Sequence, residues 1–344
     1  MAALEEAEKP LICIGGGVFA AHAENEIREL ADLMQIPVIT TMMGISVFPD
    51  DDQLFCGMIG THGVKMANAA VNECDVLFLV GARVGDRAVK TPLALEKTTK
   101  IIHIDIDPAE IGKNIGADLP LVGDAKLVLQ QMTELAKPMK HDEWIAHIKT
   151  LGGERKYVEP AKGTVNPRVF IDRLAKKMPA NVTVVADVGQ NQIWTCTEYK
   201  FRKEGRLLTS GGMGTMGYSV PAAIGAKMAD NSRATVAICG DGAFQMSFME
   251  LATAVQFGVD IKVVVMTNNR LGMVRELQTN GYHDRQTAVF LDGSPDFIKL
   301  AEAYGIPAMR VYDDATMEKG VEMLAEHKGI CLVEVVVDKD MPTL

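Results

Sequence analysis

Aromatic side chains are scarce, at 6 % of 344 residues with two tryptophans, and no stretch concentrates positive charge. A basic stripe interleaved with rings, the platform on which bases stack, is therefore missing. A formal net charge of −10 opposes non-specific nucleic-acid binding as well. Long apolar runs are missing too: LICIGGGV, VLFLVGA, VAICG and VVVMT all fall well short of the roughly 20 residues that a membrane helix needs. The opening MAALEEAEKP is acidic and lacks the basic-then-apolar order of a signal peptide. Six cysteines (Cys13, Cys56, Cys74, Cys196, Cys239 and Cys331) form no CxxC pair. That spacing argues against a zinc or disulfide framework and predicts reduced thiols, packed as small hydrophobes in a cytoplasmic protein.

What is present is a globular composition, 48 % hydrophobic and 23 % charged, on a chain long enough for about two domains. Strand-like runs occur at 10–16, 36–41, 75–82, 100–106 and 119–124, with helix-period segments between them. In AENEIRELADLM (23–34), Ile27, Leu30 and Leu33 or Met34 share one face. From about 137 to 166 prolines, glycines and charges break the rhythm, leaving room for perhaps one surface helix. Strand-like runs then resume at 182–189, 206–212, 234–242, 261–269, 307–313 and 331–338. The expectation is an α/β protein with two doubly wound domains, mainly parallel sheets with helices on both faces. The domains span 1–140 and 166–344, joined by a linker at 141–165.

The run TVAIC ends in ICGDGAF (238–244), an aspartate between two glycines. The next strand, IKVVVMTNN, ends on Asn268, 27 residues after Asp241. One strand–helix–strand crossover would place both side chains at the carboxyl edge of the sheet, where open α/β sheets bind ligands. A carboxylate and an amide oxygen there are hard ligands suited to Mg²⁺ or Ca²⁺, and Mg²⁺ commonly completes its octahedron with phosphate and water. The glycines would let backbone N–H groups approach that phosphate. GDG alone is also a common turn; paired with NN at the next strand end it specifies more.

GDG followed by NN resembles the signature of thiamine diphosphate enzymes. The resemblance implies that Asp241, the Asn268 side chain and the Arg270 carbonyl bind magnesium, with Gly240, Gly242 and Ala243 against the diphosphate. GGMGTMGYSVPAAIGA (211–226) is similar to the segment that holds the coenzyme bent. By that similarity Met216 wedges beneath it, and the Gly214 carbonyl accepts from its 4′-amino group. A glycine-rich helix start with Met216 in the core is the plainer account of the same segment. DVGQNQIW (187–194) resembles the diphosphate-contacting loop, giving Gln190 and Asn191; the family often has His where Asn191 stands, and both can donate to phosphate.

PLICIGGGV, VITTMMG, FCGMIGTHG, VGARVGDR, HIDIDPAEIGKN and LVGD, in that order, extend the resemblance to acetolactate (acetohydroxyacid) synthase over nearly the whole chain. FAD would then touch Gly15, Gly16, Thr41, Met42, His62, Gly81, Arg83, Asp105, Ile106 and Asp124, although Thr61 stands where the family usually has Met. Arg87 would read the carboxylate of the second 2-keto acid, a task suited to a guanidinium fork, against the plainer reading of a surface ion pair with Asp86. Leu277 stands where the family commonly has a Trp that favours 2-ketobutyrate and stacks on herbicides. The expectation is a pocket taking pyruvate at least as readily, resistant to sulfonylureas.

In the family the glutamate that bonds the coenzyme's N1′ lies in an N-terminal pyrimidine-binding domain that faces this one across a dimer interface. That domain is expected to be absent from this chain, leaving it inactive or weak alone. A homodimer or higher oligomer, a separate pyrimidine-domain chain and a regulatory subunit are the partners implied, beside small 2-keto acids. A non-catalytic FAD- or coenzyme-binding fragment is the competing reading, with a pyruvate oxidase-like or glyoxylate carboligase-like specificity behind it.

Overall fold

The structure, a computed structural model, describes residues 1–89, 92–153 and 157–344. It divides into two compact units, Met1–Arg155 and Lys156–Leu344. The first contains β1 (Pro10–Ile14), β2 (Val38–Thr40), β3 (Phe55–Met58), β4 (Val76–Val80), β5 (Lys100–Asp105) and β6 (Leu119–Val122). All are parallel, in the order β3-β2-β1-β4-β5-β6, which is that of a doubly wound dinucleotide-binding sheet.

Both faces of this sheet are covered, which is why its central strands read as unbroken apolar runs. Ile12, Ile14, Phe78, Val80, Ile102 and Ile104 enter one core cluster. Leu11, Cys13, Leu77, Leu79 and Ile101 enter the other. Burying each aliphatic side chain contributes about 1.5–3 kcal/mol. Helix Glu24–Met34 lays Ile27, Leu30, Ala31 and Met34 on the first cluster, close to its sequence-based bounds. It stops where Gln35 turns left-handed (φ 50°).

Two features differ from the sequence-based expectation. β3 was unforeseen: it is four residues long, only alternately buried, and interrupted by Gly57 at φ 97°. The segment 141–165 also contributes more than a connection. Its helix Asp142–Thr150 buries Trp144 and Ile148 in the first unit, and the Trp144 indole donates to the Pro10 carbonyl at 3.0 Å. Glu154, Arg155 and Lys156 of the LGGERK stretch lie outside the described residues.

The second unit opens with helix Pro167–Lys177, capped by Asn166 accepting from Arg168 N at 2.9 Å. Its strands are β7 (Thr183–Ala186), β8 (Arg206–Thr209), β9 (Thr235–Gly240), β10 (Lys262–Thr267), β11 (Ala308–Val311) and β12 (Cys331–Val336). They too are parallel, ordered β11-β12-β10-β9-β7-β8. β9 and β10 are neighbours in register, Met266 opposite Gly240, so their carboxyl ends emerge side by side. The crossover between them is less regular than expected, a 3₁₀ turn Phe248–Glu250 and then helix Leu251–Gln256. Phe244, just after β9, anchors this region edge-on to Phe297 with centroids 5.4 Å apart. All six cysteines are buried and free, and burial pushes the thiols of Cys13, Cys56, Cys74 and Cys196 up to about 12. No helix among the described residues is long and apolar enough to cross a membrane.

Candidate functional site

β9 ends at Gly240, and Asp241 begins a short helical turn, Asp241–Phe244. Its side chain is 2 % exposed. One carboxylate oxygen accepts from Gly242 N at 2.8 Å; the other accepts from Asn269 N at 2.6 Å and Asn268 N at 3.2 Å. Asn269 makes this convergence possible by adopting φ 53°, a left-handed conformation that asparagine tolerates better than most residues. Among the described residues every bonded partner of the carboxylate is a backbone amide. Burial therefore outweighs these donors and raises the Asp241 pKa from 3.8 to about 6. A divalent cation would restore the ionised form.

The amide of Asn268 turns both of its ends to use. Its Oδ1 accepts from Arg270 N at 3.1 Å and its Nδ2 donates to Gln190 Oε1 at 3.2 Å. The Arg270 guanidinium is held outward by Asp292 at 2.9 Å and lies over the Phe290 ring at 4.7 Å, leaving its backbone at the site. An open cavity of about 580 Å³ fills the space between the ends of β7, β9 and β10. Gln190, Asn191, Met216, Gly240, Asp241, Gly242, Ala243, Asn268 and Arg270 all line it. Its wall is tight: a Cβ on Gly242 would stand 2.8 Å from Leu271 Cδ2 and 3.4 Å from Met216 Cε. The hard oxygen set and the glycines Gly240 and Gly242 beside it fit a metal-bridged diphosphate.

Three expected positions fall differently. Gly214 (φ 65°) lies on the loop before Met216 but not in the cavity wall. Leu277 sits on helix Gly272–Gly281, whose Gly272, Met273 and Val274 reach the cavity, yet Leu277 itself is 61 % exposed. Asn191 lines the cavity, but its Nδ2 donates to Asp187 O at 2.8 Å and Ile238 O at 3.2 Å. Those amide protons stitch β7 to β9, and the atom facing Gly240 is the acceptor Oδ1. Side-chain donation to phosphate, the reason for equating Asn191 with a histidine, is thus not available in this arrangement.

Sequence reasoning missed Asp187, which also ends a strand and is fully buried. It accepts from Gly217 N at 3.0 Å and Ser219 N at 2.7 Å, pinning the turn that carries Met216. Its signal was the one that singled out Asp241: a carboxylate closing the apolar run VTVVAD. Trp194 and Leu271 are further wall residues without a local signal.

In the first unit, Gly15 and Gly16 follow β1, Thr41 and Met42 follow β2, and His62 comes after β3. Gly81 and Arg83 follow β4, Asp105 and Ile106 close β5, and Asp124 follows β6. The ten expected flavin contacts thus gather at one carboxyl edge. Several have local tasks there. A Cβ on Gly15 would stand 2.1 Å from the Gly81 carbonyl, so these two glycines first serve the close approach of β1 to β4. Asp124 caps helix Ala125–Leu135 through Leu127 N at 3.1 Å, and Asp105 accepts from Asp107 N at 2.9 Å. Arg87 is 85 % exposed with Asp86 3.9 Å away, the geometry of a weak surface pair within this unit.

Comparisons with known proteins agree with this division. Residues 1–132 match the central domain of thiamine pyrophosphate enzymes, and 187–335 match their C-terminal TPP-binding domain. A probable acetolactate synthase large subunit of Methanocaldococcus jannaschii is 41 % identical over 347 residues, covering 97 % of this chain and 58 % of the relative. The acetolactate synthase large subunit of Lactococcus lactis is 36 % identical, covering 98 % of the chain and 59 % of its own length. That of Corynebacterium glutamicum is 40 % identical over 89 % of the chain and 51 % of its length. The chain thus spans between half and three-fifths of these relatives. Two matched domains, together covering most of the chain, place it in the thiamine pyrophosphate enzyme family, with sequence similarity to acetolactate synthase large subunits running through both.

Proposed function

We propose that this chain is the coenzyme-holding portion of an acetolactate synthase-like carboligase of branched-chain amino acid synthesis. The enzyme would decarboxylate pyruvate and join the remaining two-carbon unit to a second 2-keto acid, with pyruvate favoured. The observation that carries the reading is the buried Asp241 carboxylate, bonded only to backbone amides among the described residues and facing a cavity beside Asn268 and Arg270.

In this reading Asp241, Asn268 Oδ1 and the Arg270 carbonyl hold Mg²⁺. Gln190, Gly240, Gly242, Ala243 and the backbone at Asn191 bound the diphosphate, with the Gly214 carbonyl beyond them. When bound, thiamine diphosphate supplies the electron sink that lets pyruvate lose carbon dioxide. The chain's own work is positional. The β9–β10 edge would hold the cation, Gly240 and Gly242 would leave room for phosphates at the backbone, and Asp187, by pinning Gly217 N and Ser219 N, fixes the turn that carries Met216. FAD belongs at the carboxyl edge of β1–β6, supported by that sheet's strand order. Arg87 would meet the second keto acid and Leu277 would border its pocket once the remaining parts of the enzyme are assembled. Those parts are a pyrimidine-binding domain, a second copy of the chain and a regulatory subunit, in the cytoplasm.

The test is acetolactate formation from pyruvate with Mg²⁺, thiamine diphosphate and FAD, with and without an added pyrimidine-binding domain. Restoration of turnover by that domain is the expected result. Coenzyme binding with no turnover under either condition would favour a binding fragment and overturn the carboligase reading.

A further inference from the structure

The metal oxygen assigned to Asn268 is useful only if its amide points the right way, because the Nδ2 end of the same group would repel a cation. Within the motif Arg270 N holds Oδ1 at 3.1 Å; the constraint on the Nδ2 end comes from outside it. Gln190, 4 % exposed, aims its Nε2 at three acceptors: Glu276 Oε2 at 3.2 Å, Met341 O at 2.9 Å and Thr343 Oγ1 at 3.2 Å. A reversed Gln190 amide would turn its oxygen on all three. Its Oε1 therefore faces Asn268 and accepts from Nδ2 at 3.2 Å, which keeps Asn268 Oδ1 turned the other way, towards Arg270 N, in a residue that lines the cavity.

Glu276 is the group around which this arrangement is built. Its two oxygens receive Thr343 N at 3.2 Å each, together with the Thr343 hydroxyl. One helical turn before it, Gly272 closes the other side: a Cβ there would be 1.9 Å from Gln190 Oε1. The Gln190 amide is thus held by an acceptor set on one flank and a backbone wall on the other.

We propose that Glu276 is a positioning residue, which through Gln190 orients the Asn268 amide so that its oxygen is presented to the cation. The role rests on reading Asn268 as a metal ligand. Partners of metal ligands commonly carry a 10–100-fold share of metal affinity, and Glu276 would act one hydrogen bond further out.

Two measurements on the chain test it. In the metal-free, ¹⁵N-labelled protein, solvent exchange of the Asn268 and Gln190 side-chain NH₂ groups reports the relay directly. Mg²⁺ titration in the presence of thiamine diphosphate, read by fluorescence of the wall residue Trp194, reports its consequence. Glu276→Met should speed Asn268 NH₂ exchange and weaken Mg²⁺ by about tenfold or more. Glu276→Gln, which retains an acceptor oxygen, should recover most of both, with the urea midpoint of each variant serving as the fold control. Unchanged Mg²⁺ affinity and exchange in Glu276→Met would overturn the relay. So would a Glu276→Gln variant as impaired as Glu276→Met. A parent chain that takes up no Mg²⁺ with the coenzyme would instead overturn the ligand reading, and the role of Glu276 with it, even with its NH₂ groups protected.

Discussion

Replacing Asp241 by asparagine should destroy the site yet leave the empty protein, at neutral pH, no less stable than the parent. A rise in pKa from 3.8 to about 6 means that ionisation of this carboxyl costs the metal-free fold about 3 kcal/mol. The sign follows from proton binding. Between pH 4 and 6 the folded state holds the proton more tightly than the unfolded chain, so stability falls as pH rises through that window and is level above it. Asp241→Asn removes this dependence but sets one NH₂ against backbone N–H groups that the carboxylate now accepts from, a mismatch worth about 1–3 kcal/mol. At pH 4 the variant should therefore be the less stable by roughly that amount. At pH 7.5 it should be equal to the parent or about 1 kcal/mol more stable. Urea unfolding in chelator-treated buffer at both pH values measures the swing, and thermal melting with Mg²⁺ and thiamine diphosphate should show a ligand-dependent upshift only for the parent. A swing below about 1 kcal/mol, or a variant that keeps the Mg²⁺-linked upshift, would refute the account of Asp241 as an uncompensated buried charge awaiting a cation.

Asp187→Ala should free the turn at Gly217 and Ser219, lower stability by about 1–3 kcal/mol and raise hydrogen exchange around Met216, measurable by mass spectrometry. Gly242→Ala should cost less stability than that, because the Leu271 side-chain tip can yield, but should weaken coenzyme binding in a calorimetric titration. Leu277→Trp, at an exposed position, should change the urea midpoint by no more than about 0.5 kcal/mol. In the reconstituted enzyme it should shift the product ratio towards acetohydroxybutyrate when pyruvate and 2-ketobutyrate compete.

The fold was legible because central parallel strands covered on both faces appear as short apolar blocks, and the eleven strand-like runs, edge strands included, became eleven of the twelve strands. β3 escaped because its four residues, FCGM, are broken by Gly57 at φ 97°, which leaves no continuous apolar block. At the site, residues that close a strand, such as Asp241 and Asn268, could be placed by topology alone. Gln190 was singled out only through the resemblance of DVGQNQIW, and its helix does follow β7 closely. What it binds could not be placed: Glu276 and Thr343 lie 86 and 153 residues away, and neither has a motif. Asn191 shows the complementary failure. Its residue type suited a phosphate donor, but β7 and β9 each offered a carbonyl first, and no spacing rule records that competition.

The left-handed backbone at Asn269 gives the NN doublet an internal division of labour. Its first letter is chosen for an oxygen, its second for a bend that lets two successive amides reach one carboxylate. The two positions should therefore drift under different rules. Glycine is an acceptable substitute at 269, where only the bend is needed, and fatal at 268, where it would remove the oxygen. A β-branched residue at 269 would unseat Asp241 without touching any atom assigned to the metal.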